Sequence, residues 1–365
     1  MAQQNNIAAL QTSETRLDTS ESTERVAYFE TIYELANSAA HAAGGFIDRT
    51  HTIAGLPVRL RFAGESLLSA ITKAFEHLDV THSSPLLTIC IWDTASTGKK
   101  MPPPPWEGDD FLARGVIQGF NDDRIHTAFQ HGSGAVSMLD AERDLAVFWV
   151  SSAEDLPYWE KGSPLRSILH WWLGRNGRQL VHGAAVGNNR GAVLIGGKGG
   201  SGKSTTALAC LESDLLYLGD DYTVLRSDPF AMVYSLYNSA KINADNVQRL
   251  PHLGEKISNP DRLDSEKALL FVHEHYPAKT VAELPIRAIL LPRVTGLRET
   301  SLKKTPTAQA LAALAPSTIF QLPRAGAEAF KFLARIAKQV PCFTFEVGTD
   351  LSGIPTAIEG LLAEV

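Results

Sequence analysis

The chain has 365 residues, which at roughly 150 residues per domain is room for about two domains. Apolar residues at 44% and charged residues at 20% can build sizeable cores, so a wholly disordered chain is excluded. Thirty-four Lys and Arg against 40 Asp and Glu give a formal charge of −6, without the global basic excess of a nucleic-acid binder.

The first 26 residues are mostly polar and lack a basic start followed by an apolar run, so no secretory signal is expected and residues 1–27 read as a flexible tail. No window reaches the ~18 consecutive apolar residues of a membrane span, so no membrane association is expected either. Residues 28–160 are predicted as a smaller, mixed and strand-rich domain for recruitment or assembly, with a homo-oligomer as one outcome. Val58, Leu60 and Phe62 alternate with Arg59 and Arg61 as in a half-buried strand. Leu67, Leu68, Ile71, Phe75 and Leu78 fall on one helical face, and Leu87, Ile89 and Ile91 alternate again. Pro102 to Pro105 predict a stiff surface loop that carries Trp106, and Leu145 to Val150 a further strand. Cys90, Cys210 and Cys342 are scattered, odd in number and form no C-x-x-C pair, which points to a reducing, cytoplasmic compartment.

Residues 161–365 are predicted as a layered α/β domain. Ser163-Pro164 reads as a helix opening in which the Ser hydroxyl caps free amides. Leu165, Ile168, Leu169 and Trp172 follow on one face, Gly174 ends the helix, and Trp171 and Trp172 read as core packing. Strands are expected over Leu180 to Val186, Ala192 to Ile195, near Tyr217, and over Met232 to Leu236, Ile286 to Leu291 and Phe343 to Val347. Helices are expected from about Lys203, near Ala308 to Leu314 and Ala327 to Lys338, and near Ile354 to Leu362.

Gly197-Lys198-Gly199-Gly200-Ser201-Gly202-Lys203-Ser204 satisfies G-x-x-x-x-G-K-[ST], between an apolar strand and a helix that opens with Thr205. Backbone N–H groups converge on phosphate oxygens most readily where side chains are absent, and Gly197, Gly199, Gly200 and Gly202 supply such a nest, with Ser201 among the binding residues of the loop. Lys203 is expected to reach the β- and γ-phosphates of ATP and Ser204 to offer its hydroxyl to Mg2+, with Thr205 completing the site. Lys198 either touches phosphate or faces solvent. Downstream, Gly219-Asp220-Asp221-Tyr222 places two carboxylates at the carboxyl edge of a strand. One can hold Mg2+ and the other can accept a proton from an attacking hydroxyl.

His182-Gly183, the loop from Gly197 to Ser204 and Gly219-Asp220-Asp221, at these intervals, resemble the catalytic half of the HPr kinase/phosphorylase family, which has a phosphoenolpyruvate carboxykinase-like P-loop fold. The resemblance covers residues 178 to 226 and extends loosely to the carboxyl-terminal half; the whole chain resembles HPr-kinase-related proteins of bacteria. It implies that His182 joins the acidic pair, that Asp220 is the general base, and that Asp221 binds or orients Mg2+. The Glu-containing, glycine-rich signature of true HPr kinases beyond the acidic pair is not found. Tyr237-Asn238-Ser239-Ala240-Lys241 and Phe271-Val272-His273-Glu274-His275-Tyr276 stand in its place. Lys241, Arg287 and Arg293 are candidate cations for the γ-phosphate, Glu274 a candidate for the missing carboxylate, and His273 and His275 would share one strand face.

The leading expectation is an ATP-dependent kinase that transfers the γ-phosphoryl group to a hydroxyl or carboxylate of a peptide or small-molecule acceptor. The alternative is a P-loop ATPase or nucleotide-controlled binding module.

Overall fold

The computed structural model describes residues 2–80 and 84–365, with side chains from residue 22 onward. The chain divides into two units. One comprises residues 1–48, 59–67 and 87–155, and the other residues 49–58, 68–86 and 156–365.

In the first unit, helix α1 (Ala2–Ala42) takes in the segment expected as a tail. No Gly or Pro interrupts the chain before Gly44, and Phe29, Ile32, Ala36 and Ala39, spaced along one helical face, are fully buried or nearly so. Those contacts anchor the helix, and the polar residues before them extend it. Met1 and the side chains before residue 22 lie outside the described residues. Strands β1 (Phe46–Ile53) and β2 (Leu56–Ala63) lead to the short helix α2 (Leu68–Thr72), which groups with the second unit. Then follow β3 (Leu87–Asp93), α3 (Thr94–Thr97), β4 (Ile125–Gln130), β5 (Ala135–Asp140) and β6 (Leu145–Val150). They form one six-stranded sheet in the order β1-β2-β3-β6-β5-β4, in which β3 and β6 are parallel. Trp106 follows the proline run but is no surface residue. It packs edge-on against Tyr28 and Phe120 in a small aromatic cluster of its own, with ring centroids 5.4 and 5.2 Å away.

The second unit continues through α4 (Tyr158–Gly162), α5 (Arg166–Arg175), β7 (Gln179–Val181), β8 (Ala184–Asn188), β9 (Gly191–Ile195), α6 (Lys203–Ala209), β10 (Leu216–Gly219) and β11 (Thr223–Arg226). Next come β12 (Met232–Ser235), β13 (Ser239–Ile242), α7 (Ala244–Val247), β14 (Ala268–Phe271), α8 (Val272–His275) and β15 (Glu283–Val294). The chain closes with β16 (Ser301–Thr305), α9 (Thr307–Ile319), α10 (Gly326–Gln339), β17 (Cys342–Val347) and α11 (Gly353–Glu364). The architecture is mixed α/β with several sheets. Alternation along β9 shows the layering. Val193 and Ile195 join a core with Leu208 of α6 and Leu361 of α11, while Ala192 and Leu194 join one with Leu314 of α9 and Leu333 of α10. A strand buried on both faces reads as an unbroken apolar run, as Gly191–Ile195 does.

The apolar run from Leu180 to Val186, expected as one strand, is two. β7 pairs with β11 (Val181 opposite Thr223) and β8 with β10, both antiparallel; a bulge between Tyr217 and Gly219 shifts the second pairing by one residue, so that Ala185 opposite Gly219 falls into the register of the first. Residues 179–188 and 216–226 therefore form one ribbon, interrupted where His182-Gly183 faces Asp221-Tyr222. On one side of the break the ribbon continues through β12 to the start of β15. On the other it continues through β9 to the later part of β15 and on to β17. The interruption is where two sheets part, and it leaves His182 and the acidic pair outside both ladders.

The tight β8–β9 hairpin holds this frame. A Cβ on Gly187 would lie 2.3 Å from the Gly191 carbonyl oxygen and 2.7 Å from Ala192 Cα, both backbone atoms that cannot swing aside. Gly187→Ala is expected to destabilise the protein by about 1–3 kcal/mol, measured as a lower urea midpoint with an unchanged slope.

Among the described residues no helix is long and apolar enough to cross a membrane.

Candidate functional site

β9 delivers the glycine-rich loop to the edge of the sheet, and Gly196 N–H donates to the Leu290 carbonyl (2.9 Å), fixing where the loop leaves the sheet. Gly197, Gly200 and Gly202 have φ of 148°, 77° and 105°. Gly202 is the left-handed residue immediately before α6, a conformation costly for any residue with a Cβ. Lys203 curls back over the loop, its Nζ donating to the carbonyls of Gly197 (2.9 Å) and Lys198 (3.3 Å). Only 6% of this side chain's residue surface is exposed. Burial lowers its pKa, opposed by the charges of Asp220 and Asp221.

β10 ends at Gly219, and the next three residues form a turn closed by Tyr222 N–H on the Asp220 carbonyl (2.7 Å), with Asp221 at φ 68°. Asp tolerates this left-handed conformation better than most residues, though it still costs energy. The turn sends the two carboxylates to different partners. Asp220 is 1% exposed; its Oδ2 accepts from Lys241 N–H (3.2 Å), while Oδ1 is buried with no hydrogen-bond partner. Burial, and then the neighbouring charge of Asp221, raise its pKa. Asp221 is the opposite case. Burial opposes its charge, but the Lys241 ammonium (2.6 Å to Oδ2) and His182 Nε2 (3.0 Å to Oδ1) outweigh that and hold its carboxyl far below the usual range.

A hydrogen-bond chain fixes the imidazole. Tyr222 OH donates to Gln321 Oε1 (2.7 Å), which turns the amide Nε2 toward His182 Nδ1 (3.3 Å). Nδ1 is thereby the acceptor, leaving Nε2–H to donate to Asp221. Lys241 Nζ also donates to Ser163 Oγ (3.0 Å). Ser163 is thus a holder of Lys241 and not the cap of α5, which begins after Leu165 in a left-handed conformation.

One cavity of about 540 Å3 gathers these groups. Gly199, Gly200, Gly202, Lys203, Ser204, Thr205, His182, Asp220, Asp221 and Lys241 line it. Gly197, Lys198 and Ser201 are not among its walls; the Ser201 hydroxyl is buried without a partner. Both Asp221 oxygens are already engaged, Oδ2 by the Lys241 ammonium and Oδ1 by the His182 Nε2–H. The Ser204 hydroxyl fits a magnesium ion that takes phosphate oxygens and waters for its remaining positions, and Asp220 Oδ1, buried and unspent, is left to accept a proton. Among the described residues no group of three or more His, Cys, Asp or Glu is set to hold a metal by itself.

The other candidates lie outside the cavity. Arg287 Nε donates to the Arg190 carbonyl (2.8 Å), and Arg293 stands on β15 in register with Glu346. Glu274 pairs with Lys73 (2.9 Å). His273 and His275 belong to the helical turn α8 and not to a strand, and His273 Nδ1 bonds Thr280 Oγ1 (2.7 Å). Conversely, Trp159, Arg166, Tyr222 and Gln321 line the cavity without having been singled out. Tyr222 could have been found from its place beside the acidic pair, whereas Gln321, 99 residues further on, carries no local signal.

Asp221→Asn tests the ion-pair account. A carboxyl held low in the fold contributes stability that is fully present above its unfolded pKa of about 4 and is lost as pH falls through the folded value. The variant is therefore expected to be less stable by about 1–3 kcal/mol at pH 7, with the gap to the parent narrowing below about pH 4. Urea unfolding at pH 7 and pH 3 checks this.

No protein-family model matches the chain, and no curated protein matches it. Among solved structures, the chain is similar to the Hpr(Ser) kinase/phosphatase from Coxiella burnetii at 12% identity, over 51% of this chain and 95% of that one, with a TM-score of 0.30.

Proposed function

We propose that the second unit is an ATP-dependent phosphotransferase, which moves the γ-phosphoryl group of ATP to a hydroxyl of a peptide or small-molecule acceptor. One observation carries the reading: a single cavity sets Lys203 and Ser204 of the glycine-rich loop against a buried carboxylate, Asp220, that has one oxygen unspent.

In this reading the loop amides and Lys203 hold the phosphates, exchanging the Gly197 and Lys198 carbonyls for phosphate oxygens. Mg2+, which Ser204 would hold together with phosphate oxygens and waters, would neutralise charge on the phosphates. The acceptor O–H gives its proton to Asp220 as the oxygen attacks the γ-phosphorus; the new O–P bond forms, the old one breaks, and ADP leaves. Burial raises the Asp220 pKa, which makes it a better proton acceptor than an ordinary carboxylate. Asp221, paired on both oxygens, serves as the fixed point for Lys241 and His182.

The test is an assay with γ-labelled ATP, Mg2+ and hydroxyl-bearing peptides and small alcohols. Label on an acceptor supports the reading, and label released only to water replaces it with an ATPase.

A further inference from the structure

Arg166, the first residue of α5, lines the cavity beside Asp221 and Tyr222, and no step above uses it. Its guanidinium lies over the Tyr222 ring, 5.2 Å from the centroid, and its Nε is buried without a hydrogen-bond partner. Stacking on an aromatic face orients the fork without spending its donors. The carboxylates that act on it, Glu160 and Asp221, do so through space and not through a hydrogen bond. Asp221 is already held by Lys241 and His182. Glu160 is 5% exposed; burial raises its pKa, and the Arg166 charge opposes that.

The two cations have different supports. Lys203 is held by the loop carbonyls of Gly197 and Lys198, whereas Arg166 lies over the Tyr222 ring. A ligand reaching from Asp220 toward Arg166 would also meet Trp159, which is 39% exposed and packs edge-on against Tyr158. What is open is one guanidinium donor edge next to two carboxyl groups, which suits a monoanion better than a second phosphate.

We propose that Arg166 recognises a carboxylate carried by the phosphoryl acceptor, so that the acceptor is a hydroxyl compound with a free carboxylate, either a small hydroxy acid or the terminus of a peptide. This rests on the phosphotransferase reading. Bidentate guanidinium–carboxylate pairing supplies the discrimination.

The experiment uses the full chain loaded with Mg2+ and a non-hydrolysable ATP analogue. N-acetyl-L-serine and N-acetyl-L-serinamide are titrated in one arm, and a serine-ended pentapeptide as acid and as amide in the other. In at least one arm the acid is expected to bind about tenfold or more tighter than the amide, and that arm identifies the source of the carboxylate. Arg166→Met should bring the ratio to about one, and Arg166→Lys should keep part of it. Affinity for the analogue without acceptor, which also reports folding, should stay within about twofold in both variants. A parent that does not distinguish acid from amide in either arm overturns the proposal. So does a ratio that survives Arg166→Met, or analogue affinity that falls with it, since the arginine would then serve the nucleotide. A parent that does not bind the analogue removes the phosphotransferase reading, and this inference with it.

Discussion

Asp220→Asn is expected to lower phosphoryl transfer by about 10²- to 10⁴-fold, the range of a positioned general base, while the protein still folds. The amide keeps the size of the carboxylate and an oxygen that can accept from Lys241 N–H. It removes a charge that burial already disfavours, so the fold loses little. What disappears is the ability to take a proton. The parent rate should fall toward acid with an apparent pKa above the ordinary Asp value of about 4, because the group binds its proton more tightly in the fold. The variant should show no such limb. Rates of labelled-phosphate transfer across pH, measured for both proteins, check the two halves together.

Lys203→Ala is expected to weaken MgATP binding by about 10- to 100-fold, the worth of one or two charge-assisted hydrogen bonds, and to abolish nucleotide-dependent turnover. The Nζ now bridges two carbonyls of its own loop, so the substitution also frees the Gly197–Lys198 segment. Global stability should change little, because burial depresses the pKa of this ammonium and it has no carboxylate within ion-pair distance to lose. Equal nucleotide affinity in parent and variant would remove the loop from the site.

The glycine-rich loop was legible in the sequence because its determinants are local: four glycines, then Lys203 and Ser204, after the buried run Gly191–Ile195. The acidic pair was legible for the same reason, as two charges directly after an apolar strand. What divides them was not. Asp220 and Asp221 are neighbours in sequence, but the turn at Asp221 sends one to the Lys241 backbone N–H and the other to the Lys241 ammonium and His182. Only tertiary placement of β13 and of the ribbon break decides which. The break itself hid inside Leu180 to Val186, where only His182 and Gly183 interrupt the apolar residues. Ser163-Pro164 carried a helix-cap signal that the fold overrides, since Lys241, 78 residues away, claims the hydroxyl. Arg166 was passed over with it. His273-Glu274-His275 alternates as a strand would, yet four residues of apolar strand before it are followed by a helical turn, and alternation over so short a stretch cannot separate the two.

The most direct measurement on the central claim is a calorimetric titration of ATP, with and without Mg2+, into the full chain and into Lys203→Ala. The account predicts saturable one-to-one binding by the parent, tighter with Mg2+, and binding about 10- to 100-fold weaker in the variant. Absence of saturable binding by the parent, or binding that is the same with Lys203 replaced, would contradict it.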